Sequence, residues 1–163
     1  MQRSAYIPVN YEKVNLNELG EMIRQNPEID PTVEVYYNMA LQIYSVNNVA
    51  PVLYAKEGQI NECIWFIPIQ YTPLTEEVVE MYTESVNQAI TQSKDLNGIE
   101  YRELESHFQG SYTGGMLKLK YLQSFGENQR YLTQYVTSKN LETYIIVVFN
   151  PENKDFEITY KSL

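Results

Sequence analysis

The C-terminal two-fifths of the chain leaves the fewest folds open. After Asn97-Gly98 the hydrophobic pattern takes a period of two and keeps it to Asn150. GIEYRELESHFQG, SYTGGMLKLKYLQSF, NQRYLTQYVTS and LETYIIVVFN each read as a strand, and the breaks between them, YTGG, FGEN and SKN, are as short as hairpin turns. Short turns join antiparallel neighbours, whereas parallel strands need a long crossover. Residues 100–150 are therefore predicted to form a four-stranded antiparallel meander. PENKDFEITYKSL then closes the chain as a short helical turn and an extended tail.

A sheet with an apolar face needs cover, and the N-terminal half carries helix signals. Asn15 is a good N-cap, Glu18 completes a capping box, and Leu16, Leu19 and Ile23 make one stripe. Asn26-Pro27 stops that helix, which is predicted over 16–25. EIDPTVEVYYN has two readings: Asp30-Pro31 starts a helix, while the alternation of Val33, Val35 and Tyr37 makes a strand. MALQIYSV, 39–46, reads as a strand, and 47–60, with Pro51 and Gly58, as a long connection. SAYIPV, 4–9, reads as a short edge strand.

FIPIQYTPLTEEVVEMY, Phe66 to Tyr82, changes period halfway. ECIWFIPIQY is apolar on both faces, as in a strand covered above and below, with Pro68 at an edge or bulge. Thr72 can cap and Pro73 can sit at N1 of a helix over 74–92, with Glu76 and Glu77 in the first turn. Leu74, Val78, Met81, Tyr82, Val86, Ala89 and Ile90 make its apolar face. The whole is α+β: an antiparallel sheet with helices packed on it, in a single domain over 1–163.

Charge and composition exclude several functions. The net charge is −9, and residues 76–105 alone carry eight acids and two bases. Such a chain repels a phosphate backbone, so no nucleic acid is expected as partner. No apolar run reaches the roughly 18–20 residues of a membrane span. MQRSAYIPVN shows no basic segment followed by an apolar core, so no signal peptide is read in it. The single Cys63 lies in ECIWFIPI and reads as a buried structural thiol. Tyrosine, with 15 copies, is the compositional oddity. It suits a half-buried pleated surface, and equally a sheet that contacts a ligand.

Catalytic groups are few. His107 is the one histidine, so neither it nor Cys63 can build a multi-ligand zinc site, and no cofactor or metal is expected. With Glu105 two residues before it on a strand, His107 is a weak candidate base. GSYTGG lacks the Lys-Ser/Thr of a phosphate loop, and there is no G-x-S-x-G. Glu76, Glu80 and Glu84 recur at i, i+4 and i+8 and form an acidic ridge on the helix. They read as a solvated face or as a docking surface for a protein with a basic surface.

The order of parts resembles the PsbP-like superfamily, which includes photosystem II extrinsic proteins, DcrB-type lipoproteins and a Ran-GTPase-binding relative. The resemblance rests on NELGEMIRQNPEI, MALQIYSV, CIWFIPIQY running into PLTEEVVEMYTESVNQAI, then QRYLTQYVTSKNLETYIIVVF and FEITYKSL, from about Val14 to Leu163. It implies an α/β/α sandwich, non-enzymatic, that docks on other macromolecules, and a bacterial cell-envelope location over the cytoplasm. It carries over no site residues. The competing expectation is a curved-sheet domain of the nuclear-transport-factor-two kind, binding a small ligand or acting on one. Its polar pocket groups would be Tyr121, Tyr135, His107 and Glu105. A third is an intracellular adaptor or immunity-type protein that uses its acidic helices.

Overall fold

The meander forms as its pattern predicts, and it grows into a larger sheet. The computed structural model describes residues 7–26, 31–56, 59–111 and 114–154. In chain order the elements are β1 (Tyr11–Val14), α1 (Leu16–Gln25), α2 (Pro31–Asn47), β2 (Val52–Lys56), β3 (Gln59–Ile69), α3 (Glu76–Asn97), β4 (Glu100–Ser111), β5 (Gly114–Phe125), β6 (Asn128–Lys139) and β7 (Glu142–Asn150). The seven strands lie in the order β1-β2-β3-β7-β6-β5-β4, every pair antiparallel. β7 returns beside β3, with Cys63 opposite Phe149 and Ile69 opposite Thr143. α3 thus carries the chain from the middle of the sheet to its far edge.

Register fixes which side chains share a face. Trp65, Val147, Gln134 and Leu119 form one row across four strands, and Cys63, Phe149, Leu132 and Tyr121 the next. All three helices pack on this face. α1 and α2 cover the β2-β3-β7 side through Leu19, Val33, Tyr36 and Ala40, against Leu53, Trp65 and Phe149. α3 covers the β5-β6 side through Val79, Tyr82, Val86 and Ile90, against Leu117, Leu119, Tyr121 and Val136. Cys63 and Trp65 are fully buried on one face of β3, as expected of a near-central strand. On the opposite face Ile64, Tyr135, Ile146 and Val148 form a second buried cluster, joined by Ile7 and Tyr11. The second helical layer that the resemblance implies is not among the described residues.

The local signals at α1 operate as read. The Asn15 side chain accepts from the backbone N–H groups of Asn17 and Glu18, and Glu18 closes the capping box. Several expectations are corrected. Residues 39–46 are not a strand; they continue α2, which begins at Pro31. Val33, Tyr36, Ala40 and Ile43 face the core at spacings of three and four, while Leu41 and Tyr44 face outward. Apolar residues on both sides of α2 hide that period. Residues 47–60 are not one long connection: β2 pairs there with β3, burying Leu53 and Ala55.

The edge strand is Tyr11–Val14 rather than 4–9, of which residues 4–6 lie outside the described part, as does the tail from 155 onward. Pro68 lies at an edge in a local sense, because β2 stops with Val52 opposite Phe66 and leaves one side of β3 without a strand. α3 starts later than expected. The Thr72 backbone N–H donates to Thr143 Oγ1 (2.8 Å), and the Thr143 hydroxyl donates back to the Thr72 carbonyl (3.1 Å). That pair holds Thr72 on β7, so Thr75 becomes the N-cap, accepting from Val78 N–H. At the other end Gly98 takes the left-handed conformation (φ 66°) and closes the helix on the Lys94 carbonyl.

Candidate functional site

Two features of α3 are candidates for a site: its outer arc and the cleft along its inner flank. Glu76, Glu80 and Glu84 are all exposed, as the phase of the helix predicts, and Glu77 stands beside them. No ion pair reaches any of the four among the described residues. The cation at the far end of the helix, Lys94, pairs instead with Glu100 (3.0 Å). Met81 was assigned above to the apolar face; it is in fact 64% exposed, amid these acids. Val79 takes the inward place, because the arc that faces the sheet runs Val79, Tyr82, Val86, Ile90.

The inner flank of α3 does not close on α2. Ser85, Ala89 and Ser93 recur at four-residue spacing on that flank and face Val35, Tyr36 and Met39 of α2. Side chains this small cannot span the gap between two helices. A cleft of about 320 Å³ remains, floored by Tyr121, Leu132, Gln134 and Ile145 of the sheet. No residue that lines it is charged.

Besides the hydroxyls of Thr32, Ser85 and Ser93, the polar side chains of the cleft are four tyrosines and Gln134, and two of the tyrosines meet on that one amide. Gln134 Nε2 donates to the Tyr36 hydroxyl (2.5 Å), and the Tyr82 hydroxyl donates to Gln134 Oε1 (3.2 Å), so one glutamine on β6 bridges α2 and α3. The Tyr101 hydroxyl accepts from Gln123 Nε2 (3.0 Å), which also donates to Thr32 Oγ1 (2.6 Å). Tyr101 meets Tyr121 edge-on, ring centroids 6.2 Å apart. Tyr121 is 1% exposed, and its hydroxyl is buried with no hydrogen-bond partner. Burial pushes the Tyr36, Tyr82 and Tyr121 phenols up, Tyr121 to about 12, with the Glu103 carboxylate adding to the shift there. All three are neutral hydroxyls at physiological pH.

Of the four pocket groups named from the sequence, only Tyr121 lies in the cleft. Tyr135 belongs to the buried cluster on the opposite face. His107 is exposed on β4. Glu105, its supposed orienting partner, is held by Lys118 Nζ at 2.7 Å on the neighbouring strand. Tyr82 was read only as part of the apolar face of α3, and Tyr36, Tyr101 and Gln134 were not named as pocket groups; the abundance of tyrosine was the visible sign of them. Among the described residues no group of three or more His, Cys, Asp or Glu side chains gathers as a metal site. No helix among them is long and apolar enough to cross a membrane.

No protein-family model matches the chain, and no curated protein matches it by sequence. Among solved structures, the solution structure of cyanobacterial PsbP (CyanoP) from Synechocystis sp. PCC 6803 superposes with a TM-score of 0.54 at 12% identity, covering 93% of this chain and 81% of that one. The fold is PsbP-like. At that identity the likeness concerns the PsbP-like architecture alone, so the cleft and the acidic arc stand on this chain's own residues.

Proposed function

We propose that the protein is a non-enzymatic interaction domain that docks on a protein partner with a basic surface through the outer arc of α3. The observation that carries this is the set of exposed, unpaired carboxylates of Glu76, Glu77, Glu80 and Glu84 around the exposed Met81. Like charges at i, i+4 cost a helix about 0.2–0.5 kcal/mol per pair. Glu76 with Glu80 and Glu80 with Glu84 are two such pairs. The helix dipole offsets the cost only in the first turn, which leaves Glu80 and Glu84 uncompensated. A cationic partner relieves this repulsion on binding, and an exposed methionine adds an adaptable apolar contact. The PsbP-like fold is compatible with such a role. The same resemblance supports a bacterial cell-envelope location as part of this proposal, which fractionation of the source cells tests.

An oligolysine peptide titrated into isotope-labelled protein tests the docking. Amide shifts should change along Glu76–Glu84, and the binding should weaken as salt shortens the screening length. The triple variant Glu76→Gln, Glu80→Gln, Glu84→Gln should lose most of the response. Shifts spread evenly over every acidic stretch would remove the arc as a specific surface.

A further inference from the structure

We propose that the cleft between α2 and α3 is a binding site for a small, neutral, largely apolar molecule bearing a carbonyl-type oxygen, held by hydrogen donation from Tyr121. The site is distinct from the acidic arc, which occupies the opposite side of α3, so neither assignment rests on the other.

Three observations converge on this chemistry. The first is space. At about 320 Å³ the cleft stands at the lower end of small-ligand pockets, which run from ~300 to 1,000 Å³. Ser85, Ala89 and Ser93 keep it open where larger side chains would have closed it. The second is the Tyr121 hydroxyl. A polar group taken out of water without a partner costs stability, and proteins rarely leave one so. In the cleft floor that residue is 1% exposed and its hydroxyl has no partner, so its hydrogen is unclaimed by the fold, and a ligand reaches it by displacing a side chain that now covers it.

The third is the sense of the surrounding hydrogen bonds. Tyr36 accepts from Gln134, and Tyr101 accepts from Gln123. Each therefore has its own hydroxyl hydrogen still to donate. Tyr82 spends its hydrogen on Gln134 Oε1, but Tyr36, Tyr101 and Tyr121 still have theirs to present, and three such donors suit a ligand with an acceptor oxygen.

The same list of groups excludes a charged ligand. No lysine, arginine, histidine, aspartate or glutamate lines the cleft, and a buried charge without a counter-charge is strongly penalised. An anion would in addition enter a protein of net charge −9. What remains is an apolar body, ring-shaped or branched, that lies between Met39 and Ile90 and turns a ketone, ester or amide oxygen toward Tyr121.

Prodan, a neutral naphthyl ketone, is a suitable probe, and anilinonaphthalene sulfonate is its anionic control. With the full chain, prodan should show saturable one-to-one binding with increased, blue-shifted emission, and the sulfonate should bind at least about tenfold more weakly. Tyr121→Phe should weaken prodan about tenfold, the worth of one hydrogen bond. The same variant should melt no lower than the parent, because the hydroxyl it removes serves no partner in the fold. Ala89→Leu should abolish binding by filling the cleft, and Ser85→Leu on the same wall is the second variant should the first fold poorly. The proposal is overturned by an absence of saturable prodan binding, by equal binding of the sulfonate, by unchanged affinity in Tyr121→Phe, or by persistent binding in both filled variants. A fall in melting temperature for Tyr121→Phe would overturn it as well, by showing that the hydroxyl already serves the fold.

Discussion

α2 and α3 lie on the same face of one sheet and meet the same glutamine, yet they are packed in different ways. α2 buries Thr32, Val33, Tyr36 and Ala40, and with Leu19 of α1 it seals the β2-β3-β7 half around Trp65. α3 is longer, and none of its residues is fully buried. Its valines and isoleucine touch the sheet only along one narrow arc, with small residues on one side and carboxylates on the other. The difference lies in what each helix spends its surface on. α2 gives nearly all of its inner surface to the core, whereas α3 divides its circumference between a thin contact strip, an open cleft and a charged outer arc. Half of the face is sealed, and the other half is left partly open.

The strongest way to test that contrast is to truncate one large contact in each half. Trp65→Ala removes a fully buried ring from the sealed half and should cost about 3–5 kcal/mol in urea unfolding. Val86→Ala in the open half should cost only about 1 kcal/mol, since that side chain is half-buried. Equal losses would erase the distinction.

Alkaline titration sharpens it further. The Tyr121 phenol lies near 10 in an unfolded chain and at about 12 when folded, and burial raises Tyr36 and Tyr82 in the same direction. A raised folded pKa means that the native state holds its protons more tightly than the unfolded one. The stability from these groups is therefore complete below pH ~10 and falls as pH rises toward about 12. Replacing Tyr121 by Phe should flatten this decline, followed by denaturant midpoints from pH 9 to 11 (about one unit either side of the free phenol). A slope unchanged by the substitution would place the titrating groups elsewhere.

The smallest effect belongs to the outer arc. Converting Glu76, Glu80 and Glu84 to Gln should leave stability within about 0.5 kcal/mol per site, on the side of a gain, because two repulsive pairs disappear. Circular-dichroism melts measure it. A loss of fold would mean that these carboxylates face the sheet.

What the sequence disclosed divides along the range of the interactions. α1 is local, set by Asn15, Glu18 and a stripe of three apolar residues, and it was readable to the residue. The meander was readable because alternation and short turns specify neighbours. The outer arc needed only the phase of one helix. Met81 escaped because a methionine among acids fits an apolar stripe as readily as a binding surface. α2 and β2 were obscured for opposite reasons: α2 is apolar nearly all round, and β2 is short and lies between Pro51 and Gly58. The cleft could not be read at all from local pattern. Its central bridge joins Tyr36 to Gln134, 98 positions apart, and only the return of β7 beside β3 brings those elements together.

The central claim is that the α2 side is filled and the α3 side is open, and a matched pair of enlargements tests it most directly. Ala40 is fully buried on α2; Ala89 faces the cleft from α3. Both sit within helices, so propensity treats the same change alike in each. Ala40→Leu should overpack the core and lower unfolding stability by about 1–3 kcal/mol. Ala89→Leu should be neutral or stabilising, because it places apolar atoms in empty space. A comparable loss from both would contradict the account, since it would mean that no open cleft separates the two helices.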